Sequence, residues 1–303
     1  MKEQGKAMEK FEKAKQFYNS LPARTKEWLP SVEDAEYYVR KDDEYRRMYV
    51  QKTSEKPRIQ YHNNSEYGRE HNGTSVELLN QAAYYKRCVA ARKQSEKATA
   101  YLIGRGLSEK IQDWFRIGYD PAWHHPGTRN RPTERIIIPN SPGSYLARVL
   151  DDTQVLGPYD HQKMKVGRQH LFNSKAICPE SVVFVVEGEI DEMSIAQFGI
   201  PCVGLGSAAQ YRKLTEYLRL NPDCAKGTFF LICLDDDRTG KERAKDLSNL
   251  LIEEGYRCAR FNGISAPFKD PNERLQMDPE GLGQALKRAW DECQKLRLRR
   301  ETA

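Results

Sequence analysis

The sequence predicts an α/β domain over residues 181–275, in which a small parallel sheet is flanked by helices. Val182–Val186 and the TFFLICL run at 228–234 are unbroken apolar stretches, which are typical of strands buried on both faces of a parallel sheet. Helical patterns lie between the strands, and Gly199 and Gly255 mark the points where two of the helices end. This alternation favours right-handed β-α-β connections, with chemistry at the carboxyl ends of the strands.

An α+β segment precedes this domain. Arg135–Pro139 and Tyr145–Leu150 are predicted to be strands joined by a Pro-Gly turn, and basic residues outnumber acidic ones between positions 129 and 175. Nearer the N-terminus, abundant Glu, Lys and Ala predict helix. The sequence is therefore divided into a helical, charged N-terminal region of unassigned role (1–94), a basic α+β subdomain (95–180), the α/β domain (181–275), and a C-terminal helix with a basic tail (276–303).

The composition excludes several classes of protein. The 303 residues are 39% hydrophobic and 30% charged, and no run approaches the ~20 apolar residues of a membrane helix. The charged N-terminus has no apolar core of a secretory signal, so we expect a cytoplasmic protein with no membrane partner. The 7 cysteines include no C-x-x-C pair, and no Cys/His set has zinc spacing, so no zinc is predicted.

Acidic residues follow three of the predicted strands. Glu187 and Asp191 follow the first strand, Asp235 and Asp237 follow TFFLICL, and Asp270 follows the last strand. Side chains alternate along an extended chain, so Asp235 and Asp237 are expected to face the same way, with Glu187 joining them from a neighbouring strand. Acids at a strand end can also simply cap the following helix. Three acidic clusters at three successive strand ends favour a site instead.

Carboxylates gathered in this way repel one another unless a cation lies among them. Oxygen ligands without His or Cys favour Mg²⁺ or Mn²⁺. The predicted catalytic residues are Glu187, Asp235 and Asp237. Phosphoryl chemistry is the expected reaction class.

These motifs together resemble a known domain. EGEID at 187–191, DDDRTG at 235–240 and KDPNE at 269–273 are similar to the motifs of the Toprim domain, which bacterial-type primases, type IA and II topoisomerases and some nucleases share. The resemblance implies that Asp191 and Asp270 are further metal ligands. Two positions depart from the primase pattern. Asp236 stands where primases usually have Gly, and Asn272 replaces an acid. Asn272 is expected to offer a carbonyl oxygen but to weaken one metal site.

The upstream segment resembles the bacterial-type (DnaG-like) primase core. The resemblance rests on YLIGRGLSEKIQDWFRIGYD, TERIIIP, YLARVL and VGRQHLFN, which occur in that order between residues 101 and 173. It implies basic residues that contact the phosphates of template and nucleotide. These are Arg135, Arg148, Lys163, Lys165 and Arg168.

The resemblance implies a DNA primase, a nucleotidyltransferase that uses NTPs to make short RNA primers on single-stranded DNA. A phage or mobile-element origin is expected. The resemblance also implies a replicative helicase and a separate zinc-binding module that recognises the template as partners. Two alternatives stay open at this point, a Toprim nuclease and a catalytically silent module that binds single-stranded nucleic acid.

Overall fold

The computed structural model describes residues 75–126, 132–151, 156, 160–261 and 263–298, with side chains from residue 81 onward. Most of the predicted helical region over 1–94 therefore lies outside the described residues. The chain divides into two compact units. Of the described residues, the first unit contains those up to 96 together with those of 116–168, and the second contains 97–115 together with those from 169 onward.

The first unit is an antiparallel sheet with one described helix. Its elements are α1 (Ser75–Gln94), β1 (Gly118–Trp123), β2 (Thr133–Ser141), β3 (Ser144–Val149) and β4 (Lys163–Val166). The strands are hydrogen-bonded in the order β1-β2-β3-β4. This is the paired-strand arrangement that the basic α+β segment predicts, extended by one strand on each side.

Helix α1 is part of the core of this unit. Tyr85 and Cys88 are buried in one cluster with Trp123 and Tyr145 of the sheet. The Tyr85 hydroxyl donates to the Ser144 carbonyl oxygen at 2.8 Å, and the Trp123 Nε1–H donates to the Tyr145 hydroxyl at 3.1 Å. The aromatic bodies are buried while their polar ends are satisfied, so the helix contributes directly to the stability of the sheet.

The second unit is the parallel α/β domain. Its strands are hydrogen-bonded in the order β6-β5-β7-β8, and every adjacent pair is parallel. The elements are α2 (Glu96–Gly104), α3 (Glu109–Trp114), β5 (Val182–Val186), α4 (Glu189–Ala196), β6 (Cys202–Gly204), α5 (Arg212–Leu220), β7 (Phe229–Ile232), α6 (Arg238–Glu253), β8 (Arg257–Arg260), α7 (Pro271–Met277) and α8 (Pro279–Leu298).

The core of the second unit confirms the predicted fold class. All residues of β5 and β7 are buried, as expected for the two central strands. Strand β8 lies at an edge and is only partly buried. Helix α6 packs Ala244, Leu247 and Leu251 into the core, which is the apolar face that its 3.6-residue period predicts. No helix among the described residues is long and apolar enough to cross a membrane.

The contact between α1 and β1 requires a glycine. A Cβ atom at Gly118 would lie 2.4 Å from the Cys88 Cβ, whereas one at Gly104 would meet nothing within 4 Å. We expect Gly118→Ala to lower the free energy of unfolding by about 1–3 kcal/mol, because the helix must move away from the sheet. Gly104→Ala is the matched control and should leave stability unchanged or slightly raised. Urea unfolding of both variants measures the difference, and equal stabilities would show that α1 does not pack closely on the sheet.

Candidate functional site

Glu187 joins the loops that follow two neighbouring strands. It comes directly after β5, and its Oε1 accepts a hydrogen bond from the Asp235 backbone N–H at 3.3 Å, in the loop after β7. Its Oε2 accepts from the Ala208 backbone N–H at 3.2 Å, in the loop after β6. Burial raises the pKa of Glu187, the two N–H donors lower it, and the charge of Asp237 raises it further. The carboxylate therefore holds three strand ends together.

Asp235, in the loop after β7, is largely shielded from solvent. Its side chain is 15% exposed. Burial is the largest cause that raises the pKa of Asp235 to about 7, followed by the negative charges of Glu187 and Asp270. A Cβ at Gly240 would lie 2.2 Å from the Asp235 carbonyl oxygen and 3.0 Å from Glu187 Oε1. The glycine that ends the DDDRTG motif is therefore required by the close approach of the loop and α6.

Asp237 and Asp270 both cap helices. Asp237 Oδ1 accepts from the Gly240 N–H at 2.8 Å at the start of α6, and Asp270 Oδ1 accepts from the Glu273 N–H at 2.7 Å at the start of α7. The capping role considered from sequence is thus real for these two residues. Each cap uses one carboxylate oxygen. Both charges still raise the pKa of Asp235, so these side chains belong to the same electrostatic cluster.

Asn272 is a structural residue, and the expectation that it offers a ligand oxygen does not hold. Its side chain is buried, with the residue 2% exposed. Nδ2 donates to the Arg105 carbonyl oxygen at 2.8 Å and to Ser194 Oγ at 2.9 Å, while Oδ1 accepts from Gln276 Nε2 at 3.0 Å. The Asn272 backbone N–H is 3.4 Å from Asp191 Oδ1. Asn272 therefore connects the R-G-L turn, α4 and α7, and its backbone contacts a predicted metal ligand.

The donor chemistry of this edge fits a divalent metal. Among the residues that the structure describes, no three His, Cys, Asp or Glu side chains already stand close enough together to hold an ion. The carboxylates of Glu187, Asp237 and Asp270 nevertheless all disfavour ionisation of Asp235. A hard cation would relieve this repulsion. The carboxylate oxygens at this edge are thus of the type that binds Mg²⁺ or Mn²⁺, and their mutual repulsion favours a cation.

Of the three arginines predicted to contact phosphate, Arg135 and Arg148 lie on opposite faces of the antiparallel sheet. In the β2–β3 pair, Arg135 is opposite Val149, and Ile136 is opposite Arg148. Residues that are directly opposite share a face, and successive residues alternate between faces. Arg135 therefore points to the same side as Val149, and Arg148 points to the other side.

Arg135 is enclosed in the protein, which corrects its predicted role. Its side chain is 0% exposed, and Nη2 pairs with Asp160 Oδ1 at 2.5 Å. Nε donates to Thr133 Oγ1 at 3.0 Å, and Nη1 donates to the His161 carbonyl oxygen at 2.6 Å. The guanidinium also lies over the Trp123 ring, 5.0 Å from its centroid. All three nitrogens are used inside the protein, so Arg135 stabilises the sheet and is not placed to meet phosphate.

The remaining predicted basic residues lie on or beside the other face. Lys163 is opposite Arg148, and Lys165 is opposite Leu146, so all three basic residues share one side of the sheet. Lys163 is exposed, Lys165 is half-buried, and Arg148 is largely buried. Arg168 follows β4 and is exposed. The structure thus brings three of the five predicted cationic residues to one face.

Two lysines at the acidic edge were missed by the sequence reasoning. Lys269 Nζ lies 3.6 Å from Asp235 Oδ2, and Lys241 Nζ lies 3.0 Å from Asp236 Oδ1. Their positions next to the acidic motifs could have identified them from the sequence. Lys269 directly precedes the D-P pair of the third motif, and Lys241 directly follows DDDRTG.

Comparison with known proteins agrees with this architecture. The model of the Toprim-like family matches residues 184–275. The DNA primase of Neisseria meningitidis (strain Z2491) is 29% identical, over 52% of this chain and 32% of the relative. The DNA primase of Thermotoga maritima is 28% identical, over 65% of this chain and 40% of the relative. The chain therefore spans about a third to two fifths of the length of these curated relatives.

Two solved structures share the fold. The Aquifex aeolicus primase, crystallised as its zinc-binding and RNA polymerase domains, has a TM-score of 0.53 at 18% identity, covering 72% of this chain and 60% of that one. A DnaG primase catalytic domain bound to single-stranded DNA has a TM-score of 0.51 at 18% identity, covering 70% of this chain and 81% of that one. The resemblance found in the sequence motifs thus extends to the three-dimensional fold.

The perturbed pKa of Asp235 predicts a pH-dependent effect of its removal. Stability that comes from the neutral carboxyl is fully present below pH about 4 and is lost as the pH rises through about 7. In chelator, Asp235→Asn should therefore match wild type near pH 4.5 and raise Tm by about 2–4 °C at pH 8, the shift expected for about 1 kcal/mol. Thermal unfolding at both pH values measures this. Asp236→Asn is the control, because Asp236 lies in a more exposed ion pair. Its Tm should not rise with pH relative to wild type, and a rise similar to that of Asp235→Asn would show that the effect is not specific to Asp235.

The hydrogen bonds of Asn272 predict that replacing it with aspartate, the acid of the primase motif, lowers the stability of the protein. Asn272→Asp replaces the Nδ2 donor with an oxygen that faces the Arg105 carbonyl and Ser194 Oγ, so we expect a loss of about 1–3 kcal/mol of stability. The reverse exchange nearby, Asp270→Asn, keeps a good helix cap and should change stability little. Chemical unfolding compares the two variants. A stable Asn272→Asp protein with tighter Mn²⁺ binding would instead make position 272 a ligand.

Proposed function

We propose that this chain, which has a Toprim-like domain and the fold of a bacterial-type (DnaG-like) primase core, synthesises short RNA primers on a single-stranded DNA template. The reaction is divalent-metal-dependent nucleotidyl transfer from NTPs. The observation that carries the proposal is the cluster of mutually repelling carboxylates at the carboxyl edge of the parallel sheet. Phosphoryl transfer needs such a site because charge develops on phosphate oxygens that a bound metal can neutralise.

Each acid has a proposed role. Glu187, Asp235 and Asp237 would hold Mg²⁺ or Mn²⁺ at the polymerisation site, with Asp191 and Asp270 as further ligands. When bound, the metal supplies charge neutralisation and alignment of the phosphates. The chain itself contributes positioning. Glu187 accepts hydrogen bonds from two backbone N–H groups, which hold its carboxylate in place. Asp237 and Asp270 cap the starts of α6 and α7, and these hydrogen bonds fix the loops in which the two aspartates lie.

The basic residues have a proposed role in binding phosphates. Arg148, Lys163, Lys165 and Arg168 would contact the template backbone or the incoming nucleotide, because cationic side chains position nucleic acid without reading its sequence. The common face of the first three supports this assignment. Arg135 is not included, since its guanidinium is used within the sheet.

The proposed partners follow from the same reading. The Aquifex aeolicus structure contains a zinc-binding domain beside its RNA polymerase domain. We propose that a separate zinc-binding module assists this chain in recognising the template, and that a replicative helicase delivers the single strand.

A catalytically silent module that binds single-stranded nucleic acid is a second candidate. It is favoured by two observations, namely that no three acids of the described residues already converge, and that Asn272 is used structurally. The sequence alternative of a Toprim nuclease would use the same acids. The experiment below separates the three functions.

Labelled NTP incorporation on single-stranded DNA with Mg²⁺ or Mn²⁺ tests the primase function. We expect wild type to make short RNA, and Asp237→Asn to lose roughly 100-fold or more of this activity, because a charged metal ligand is removed. Asn preserves the cap on α6, so folding should be unaffected. Asp236→Asn is the control with one charge removed from the adjacent residue, and it should keep most of its activity.

Each product pattern has a distinct meaning. RNA from wild type but not from Asp237→Asn supports the primase. Degradation of the template by wild type only makes the protein a nuclease. An intact template without RNA, while binding of single-stranded DNA persists in both proteins, indicates the silent module.

A further inference from the structure

The backbone of Lys269 is fixed from both sides. Its carbonyl oxygen accepts from the Asp236 N–H at 3.2 Å, and its own N–H donates to Glu273 Oε2 at 2.8 Å. Lys269 is therefore tied both to the loop after β7 and to the first turn of α7. These bonds set the point from which its side chain extends.

The side chain places an ammonium group against the shielded Asp235. Lys269 Nζ lies 3.6 Å from Asp235 Oδ2, and the Lys269 side chain is 60% exposed while that of Asp235 is 15% exposed. The cation thus approaches from solvent on a flexible four-carbon stem, whereas the carboxylate is held inside. Such a partly exposed ammonium can leave its partner at little energetic cost.

We infer that Lys269 is a built-in counter-ion of Asp235, which a divalent metal displaces and which then contacts a phosphate group of the bound nucleotide. The inference rests on the proposed metal-dependent function. Without metal, the lysine places its positive charge beside Asp235, with Nζ 3.6 Å from Oδ2. A divalent cation held by Asp235 repels the nearby ammonium, and the exposed stem lets Nζ move while the fixed backbone keeps it at the site.

This arrangement has consequences of opposite sign. Removing the ammonium removes a competitor for Asp235, so binding of the metal alone becomes tighter. The same change removes a cation from the metal-loaded site, so binding of a nucleotide triphosphate becomes weaker. A lysine that only supported the local structure would weaken both.

The chain offers a matched control in Lys241. It forms the same type of ion pair, with Asp236 at 3.0 Å, one residue along the loop. Asp236 is not among the proposed metal ligands. Replacing Lys241 therefore removes the same charge from the same neighbourhood without freeing a ligand.

Mn²⁺ binding to the full chain, measured from the EPR signal of free Mn²⁺, tests the inference. We expect Lys269→Met to lower the Mn²⁺ Kd about two- to fivefold, the range that corresponds to an exposed ion pair of up to about 1 kcal/mol. Lys241→Met should change the Mn²⁺ Kd by less than half of that factor, and the Kd of Lys269→Arg should stay near the wild-type value. At saturating Mn²⁺, calorimetric titration with ATP should show Lys269→Met binding the nucleotide about two- to fivefold more weakly.

The outcomes separate this inference from the function on which it rests. Wild type that binds Mn²⁺, with Lys269→Met equal or weaker, overturns the counter-ion role and leaves the metal site intact. Equal tightening in both lysine variants overturns it too, since total charge then explains the effect. Unchanged ATP binding overturns the phosphate contact. If neither wild type nor Lys269→Met binds Mn²⁺, both the proposed function and the inference fail, whereas binding only in Lys269→Met supports the competition.

Discussion

The carboxylate of Glu187 is the constraint on which the edge of the parallel sheet depends. It follows the central strand β5 and accepts N–H donors from the loops after both neighbouring strands. The loop after β7 carries Asp235 and Asp237, so the hydrogen bond from the Asp235 N–H helps to fix the position of these two acids. Gly240 is required for the same reason, since a side chain there would meet the Asp235 carbonyl oxygen and Glu187 itself. Glycine at this position of the motif therefore allows the start of α6 to lie close to the Asp235 backbone and the Glu187 carboxylate.

Carboxylates of like charge lie near one another at this site, and the stability of the rest of the domain offsets their repulsion. Ionisation of Asp235 is disfavoured by burial and by its acidic neighbours. The two central strands beneath it, β5 and β7, are apolar throughout, with Val183, Val185 and Phe230 fully buried. Functional sites commonly hold such unfavourable groups because the same field that raises a pKa also attracts a cation or substrate. Two lysine ion pairs, at Asp235 and Asp236, offset part of the repulsion.

The antiparallel sheet shows how register divides residues that look equivalent in sequence. Arg135 and Arg148 both stand in basic, β-rich segments, yet pairing of Arg135 with Val149 sends them to opposite faces. One guanidinium is enclosed by Asp160 and Trp123, and the other shares a face with Lys163. A shift of the β2–β3 register by one residue would place Arg135 opposite Arg148 and so put both guanidinium groups on one face, because side chains alternate with a period of two.

The sequence alone determined the parallel α/β fold and the edge at which the acids meet. Apolar runs and helical periods are local signals, and parallel strands bring their carboxyl ends to one side whatever the details. The tertiary structure decided the individual roles. Asn272 bonds to Arg105, 167 positions away, and Glu187 bonds to Asp235, 48 positions away. Lys269 and Arg135 likewise take their roles from partners or strand register that no local pattern encodes. A motif predicts which residue type lies at a strand end. Whether that side chain is exposed to solvent, caps a helix or bonds to a buried partner depends on packing between distant segments.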